Sequence, residues 1–177
     1  MSPRLHASGI LAAGLAACLL ASCATTTRRE ALVPARVAAA RQTAQPIRAS
    51  VSGGGEFTAM QLPGITNDDF RQALESSLVQ SGMFQAAGGG GYQLEAFIAT
   101  IDQPVMGFSM TVNLDVSYTL RHRGATVWRK AIHSSYEAPV GEALVGATRI
   151  RLATEGAARN NIAELIRQLD TRHGRGH

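Results

Sequence analysis

Aromatic side chains make up only 5% of this 177-residue chain, proline accounts for 6 residues, and cysteine occurs twice, as Cys18 and Cys23. With 18 glycines and 45% hydrophobic residues, the composition excludes a collagen-like chain and wholesale disorder. Past the N-terminus no apolar run is long enough to cross a bilayer as a helix, which excludes a polytopic membrane protein. What remains is a length that suits one ordinary domain with a real core.

A basic folded face is lacking too. The net charge of +4 and the pI near 9.7 invite a nucleic-acid reading. The positive charge sits elsewhere: Arg4 in the first 23 residues, Arg28, Arg29, Arg36 and Arg41 against Glu30 in 24–45, and Arg172 and Arg175 in the last seven. Between 46 and 170, ten basic residues face twelve acidic ones. Nucleic-acid binding needs basic residues interleaved with aromatics on the fold itself, so that class is set aside.

The N-terminus carries the strongest positive signal. Arg4 and His6 form a short basic start, and Ile10 to Leu20 follow as an apolar run, the pattern of a secretory leader. The run ends in Leu20-Ala21-Ser22-Cys23. Small residues before the cut let the chain enter a peptidase in extended form, and the cysteine supplies a thiol for lipid attachment. These residues resemble the lipobox of bacterial lipoproteins. The resemblance implies that signal peptidase II cuts before Cys23, that Cys23 takes a diacylglycerol and an N-acyl chain, and that Cys18 leaves with the leader. The mature chain then has no free thiol, which suits an oxidising compartment. Several acyl chains anchor firmly, at about 0.8 kcal/mol per buried CH₂. Ala24 stands where an Asp would retain such a protein at the inner membrane, so the resemblance implies the outer membrane, facing the periplasm.

The rest divides into a lipidated basic tether over 23–45, a periplasmic domain over 46–170 and a flexible basic tail over 171–177, with 1–22 as signal peptide. Beside an anchor, basic residues hug anionic head groups at about 1 kcal/mol each. A surface helix over 31–44 would be interrupted early by Pro34. Ile47, Ala49 and Val51 alternate with polar residues as a weak strand, broken by Gly53-Gly54-Gly55. A helix starts near Thr66-Asn67, with Asp68 and Asp69 on its dipole, an apolar stripe at Phe70, Leu74 and Leu78, and Gly82 at C′. After Gly88–Gly91 comes a strand from Tyr92. From Phe108 to Leu120 every second residue is apolar, which defines a half-wet antiparallel strand. His122-Arg123-Gly124 turns into a strand from Ala125 to about Glu137 that sets Trp128, Ile132 and Tyr136 on one face. A last helix lies within 143–169, with Ala158, Ile162, Leu165 and Leu169 as its stripe and Arg151–Glu155 and Glu155–Arg159 as i,i+4 pairs. The glycine and alanines at 156–158 predict a close packing contact.

The expected fold is therefore α+β: a two-layer sandwich of about four strands, antiparallel or mixed, with two helices on one face in the order β-α-β-β-β-α. Its other face, with Ser109, Thr111, Asn113, Asp115, Ser117 and Thr119, is read as an uncharged surface available to a partner. This element order and the lipobox resemble small outer-membrane lipoproteins that assist envelope assembly or transport, among them the lipopolysaccharide-assembly lipoprotein and auxiliary lipoproteins of transport systems.

No constellation for chemistry emerges. His122 lies in a turn, His133 in a strand, and His173 and His177 in a tail whose glycines oppose a metal-binding helix. The tetraglycine run lacks a following Lys-Ser/Thr, and Ser50-Val51-Ser52-Gly53 lacks the first glycine of a nucleophile elbow. Adjacent Asp68 and Asp69 point about 100° apart on a helix. Asn160-Asn161 is odd in a helix and is read as satisfying local backbone or lining a surface. Lys130 beside Trp128 is read as a stem lying on an indole. The expectation is a non-enzymatic accessory without metal or cofactor, held to the membrane by lipid and bound to an envelope protein or lipid. The alternative is a lipid-tethered periplasmic enzyme or cell-wall-binding module, which would need the loops at 53–64, 103–107 and 137–146 to form one cleft.

Overall fold

The computed structural model describes residues 26–35, 37–40, 42–43, 45–58, 62–86, 91–104, 110–143 and 145–173. Leu20, Ala21, Ser22, Cys23, Ala24 and Ser109 lie outside the described residues. The elements run α1 (Arg29–Leu32), β1 (Ile47–Ser52), α2 (Asn67–Gln80), β2 (Tyr92–Asp102), β3 (Met110–His122), β4 (Ala125–Ala138), a 3₁₀ turn (Val140–Glu142) and α3 (Gly146–His173).

Local chemistry explains α2. The Thr66 hydroxyl accepts from the Asp69 amide at 3.1 Å, filling one of the donors a helix start leaves open. Asp68 in the first turn accepts from Arg71 and Gln72, and those bonds hold its carboxyl below the usual range. Phe70, Ala73, Leu74 and Leu78 bury one stripe, and Gly82 closes the helix at φ +77.

The sheet is four-stranded in the order β1-β2-β3-β4. β1 runs parallel to β2, and the other pairs are antiparallel. α2 is thus the crossover of a βαβ unit, which parallel neighbours require. Leu94, Ala96 and Ile98 of β2 join Val112, Leu114, Val116, Tyr118 and Leu120 of β3 and Ile132 of β4 in the core, facing the helices. Two bulges shift the alternation. Val127 is extra where Leu120 pairs Trp128 and Arg121 pairs Thr126, and Ala99 is extra where Ile98 pairs Val116 and Thr100 pairs Asp115. The second bulge turns Gln103 inward, where its amide donates to the Pro63 carbonyl at 2.7 Å and to Thr154 Oγ1 at 2.9 Å.

α3 pins the sheet through a buried polar knot. The Tyr118 hydroxyl donates to Asn161 Oδ1 at 2.8 Å, and Asn161 Nδ2 donates to the Ile132 carbonyl and Ser134 Oγ, both at 3.0 Å. Ser134 in turn donates to the Ala157 carbonyl at 2.9 Å. Asn161 therefore serves β3 and β4 rather than its own helix. Gly156 lets the Tyr136 ring lie on the helix: a Cβ there would sit 2.3 Å from ring carbons.

The element order corrects the expected β-α-β-β-β-α to α-β-α-β-β-β-α. The extra element comes from the segment read as tether. One turn forms and ends at Leu32, two residues before Pro34. Leu32 is fully buried, worth about 2 kcal/mol, between α2 and α3. The chain then continues along the helix layer, with the Ala39 amide donating to the Ser81 carbonyl and the Thr43 amide to the Met83 carbonyl, each at 2.9 Å. A second correction concerns Glu155–Arg159. Arg151 holds the buried Glu155 at 2.7 Å, whereas Arg159 reaches the Ala31 carbonyl at 2.7 Å and lies over the Tyr136 ring.

Candidate binding surfaces

The sheet face turned away from the helices carries the expected polar row, with Thr111, Asn113, Asp115 and Thr119 partly exposed and Ser117 exposed. It is not the uncharged surface expected: Asp115 and Arg121 come from β3 itself, and their partners come from the strands on either side. Asp115 bonds His133 Nδ1 at 2.9 Å across β4, and Glu95 of β2 holds Arg121 of β3 at 2.9 Å. Asn113 meets Asp102 at 3.4 Å. The face is a field of satisfied cross-strand pairs, flanked by Phe97, which is 51% exposed.

β1, β2 and β4 end at one pole of the domain, where α2 and α3 begin. The loop over 53–64 gathers there with Gln103 and the start of α3: Thr58 donates to Gln103, and Gln103 bridges Pro63 to Thr154. Against the outer edge of β2 the loop leaves a groove of 370 Å³ lined by Gly53, Gly54, Gly55, Phe57, Thr58, Gly64 and residues 98–101. Gly53 is required by its positive φ of +87 and by its approach to the Ile98 carbonyl. The lining offers, among the described residues, hydroxyls from Thr58 and Thr100 and no carboxylate, imidazole or thiol. Among the described residues, no three His, Cys, Asp or Glu side chains gather as metal ligands. Nor is any described helix long and apolar enough to cross a membrane.

The N-terminal segment enters at this same pole. The Thr27 hydroxyl donates to the Gly64 carbonyl at 2.8 Å, and the Arg28 amide donates to the buried Glu155 carboxylate at 2.9 Å. Sequence reasoning missed this strap, since Arg28 and Glu155 are 127 positions apart and nothing local marks them as partners. Three exposed apolar side chains border the pole: Phe57, Val140 and Val145, at 44%, 57% and 63% exposure. The opposite pole, at the hairpin of β3 and β4 and the end of α3, carries Arg123, Arg129, Lys130 and Arg172.

A four-stranded mixed sheet with α2 and α3 on one face and a strapped N-terminus defines the chain as a two-layer α+β domain. Solved structures share this fold. A Xanthomonas campestris protein of the DUF330 family superposes with a TM-score of 0.58 at 12% identity, covering 85% of this chain and 95% of that one. A minor lipoprotein from Acinetobacter baumannii superposes with a TM-score of 0.54 at 11% identity, covering 75% and 96%. At such identities the likeness is one of fold. No protein-family model matches the chain, and no curated protein matches it in sequence.

Proposed function

We propose that this chain is a bacterial lipoprotein anchored through Cys23 in the outer membrane, and that its domain faces the periplasm as a non-enzymatic binding accessory in envelope assembly or transport. The observation that carries the reading is a spacing. Leu20-Ala21-Ser22-Cys23 ends four residues before Thr27, whose hydroxyl docks on a domain that shares its fold with a lipoprotein. Ala24, in place of Asp, supports the outer membrane. A fully extended chain from Cys23 to the docked Thr27 reaches at most about 14 Å. The domain would thus stand on the membrane by its strapped pole, with Phe57, Val140 and Val145 against the bilayer surface and the sheet face and basic pole turned to the periplasm. The enzyme alternative needs its three loops to form one cleft. The groove at this pole is instead formed by residues 53–55, Phe57, Thr58 and Gly64 against β2, and the polar side chains among its described lining are the hydroxyls of Thr58 and Thr100. Cross-linking in membranes of a Gram-negative host, followed by capture of the full chain, tests the reading. One specific envelope partner above background supports it; a clean background overturns the accessory role.

A further inference from the structure

The hydrophobic stripe of α3 follows the sheet as far as Leu165 and Leu169, and past the Asn161 knot a second groove opens between the last turns of α3 and the first half of β4. It measures 280 Å³ and is lined by Trp128, Lys130, Gln168, Thr171 and Arg172. The bulge at Val127 sets Trp128 and Lys130 on this side of β4, with Trp128 opposite Leu120 and Lys130 opposite Tyr118. Four features make the groove specific. Two of its five side chains are cations and none is an anion. Glu164, one turn before Gln168, is held by Gln168 at 2.7 Å and by Arg167 at 2.7 Å, bonds that with the weaker field of Lys130 keep its pKa below the usual range. Trp128 is the chain's single tryptophan and offers a partly exposed aromatic surface. Last, Gln168 spends its amide nitrogen on Glu164, and its Oε1 is buried without a hydrogen-bond partner. Buried acceptors are nearly always paired, so this oxygen is waiting for a donor.

The occupant must bring an anion for Lys130 and Arg172 and, within a few ångströms of it, an N–H or O–H for Gln168. A phosphodiester brings acceptors alone, so a lipid head group would need a hydroxyl or ammonium beyond its phosphate to reach Gln168 Oε1, and only some head groups carry one. A peptide backbone brings an N–H beside every side chain, so an Asp or Glu in an extended segment supplies both. Arg123, exposed in the hairpin at the same pole, extends the positive field beyond one carboxylate, which fits more than one acidic residue in succession.

We propose that this groove docks an acidic peptide segment of a partner protein, with a carboxylate between Lys130 and Arg172, a backbone N–H on Gln168 Oε1 and an apolar side chain against Trp128. The inference rests on the accessory reading of the domain and names the chemistry of its partner.

Trp128 is its own probe. The full chain in neutral detergent is titrated with an acetylated, amidated (Glu-Ala)n peptide, with the (Gln-Ala)n analogue, and separately with phosphatidylcholine vesicles with and without phosphatidylglycerol. The glutamate peptide is expected to change tryptophan emission saturably and to weaken as salt is raised; the glutamine peptide is expected to do neither. Lys130→Gln and Arg172→Gln should each cost about fivefold in affinity, in keeping with partly exposed charge pairs. Gln168→Leu should weaken binding while leaving the salt dependence intact. No emission change with the glutamate peptide, or equal binding of the glutamine peptide, overturns the proposal. A response confined to phosphatidylglycerol vesicles overturns it in favour of a lipid head group. The accessory reading fails separately: if cross-linking captures one partner equally with the Lys130→Gln/Arg172→Gln chain, the groove is wrong and the reading stands. If the unaltered chain captures none, the reading itself falls.

Discussion

Tyr118 and Asn161 form a buried hydrogen bond that joins β3 directly to α3 through two side chains, and its removal has a calculable cost. Both residues are fully buried. Tyr118→Phe deletes the donor and leaves Asn161 Oδ1 without a partner, at about 1–2 kcal/mol. Asn161→Leu keeps roughly the volume but strands the Tyr118 hydroxyl and withdraws a donor from the Ile132 carbonyl and Ser134. Each stranded group costs about 1–3 kcal/mol, against a gain of about 0.5 kcal/mol in helix propensity. A net loss of about 2–3 kcal/mol is expected, within the 5–15 kcal/mol that domains usually have. The double variant is the discriminating one. Once the hydroxyl is gone, Asn161→Leu strands one group fewer, so the two losses should fall short of additivity by about 1 kcal/mol. Urea unfolding of the four chains, followed by far-UV circular dichroism, measures this. Additivity within about 0.3 kcal/mol would refute the claim that the two side chains satisfy each other.

Burial pushes the Tyr118 phenol well above its ordinary pKa. The folded chain keeps that proton where the unfolded chain gives it up, so the contribution is whole below about pH 10 and falls above it by about 1.4 kcal/mol per pH unit. Tyr118→Phe should flatten the alkaline limb of stability by that amount, and urea midpoints on either side of pH 10 check it. Gly156→Ala should cost about 1–3 kcal/mol despite a better helix former, because the new methyl meets the Tyr136 ring at 2.3 Å. With Tyr136→Ala in place, the same substitution should become neutral or stabilising in thermal melts. Glu155→Ala removes the carboxylate that pairs buried Arg151 and accepts from the Arg28 amide, so a loss of about 3–5 kcal/mol and faster protease nicking near Arg28 are expected.

Local pattern made much of the fold legible. The strict alternation through β3, the dipole-capped start of α2 with its C′ glycine, and the stripe of α3 each arise from neighbours a few positions apart. What stayed hidden depends on distant partners. Nothing in Arg28-Arg29-Glu30 announces that Leu32 will fill a slot between two helices, so a docked strap reads as a loose tether. A one-residue bulge leaves no mark on composition, yet the one at Ala99 turns Gln103 inward and the one at Val127 carries Trp128 and Lys130 to the mouth of a groove. The pairing on the open sheet face was likewise hidden: β3 shows Asp115 and Arg121, but their partners His133 and Glu95 come from the strands on either side. Tyr136 and Gly156 fall between these extremes: the small residues of α3 announced a close contact without saying with what.

The central claim is that the domain stands on a membrane by lipid at Cys23. Intact mass of the full chain recovered from membranes of a Gram-negative host, set beside a Cys23→Ala version, tests it most directly. The account predicts a species that begins at Cys23 and carries added acyl mass, lost in the variant. A chain cut elsewhere, or one that begins at Cys23 without acyl mass, would contradict it.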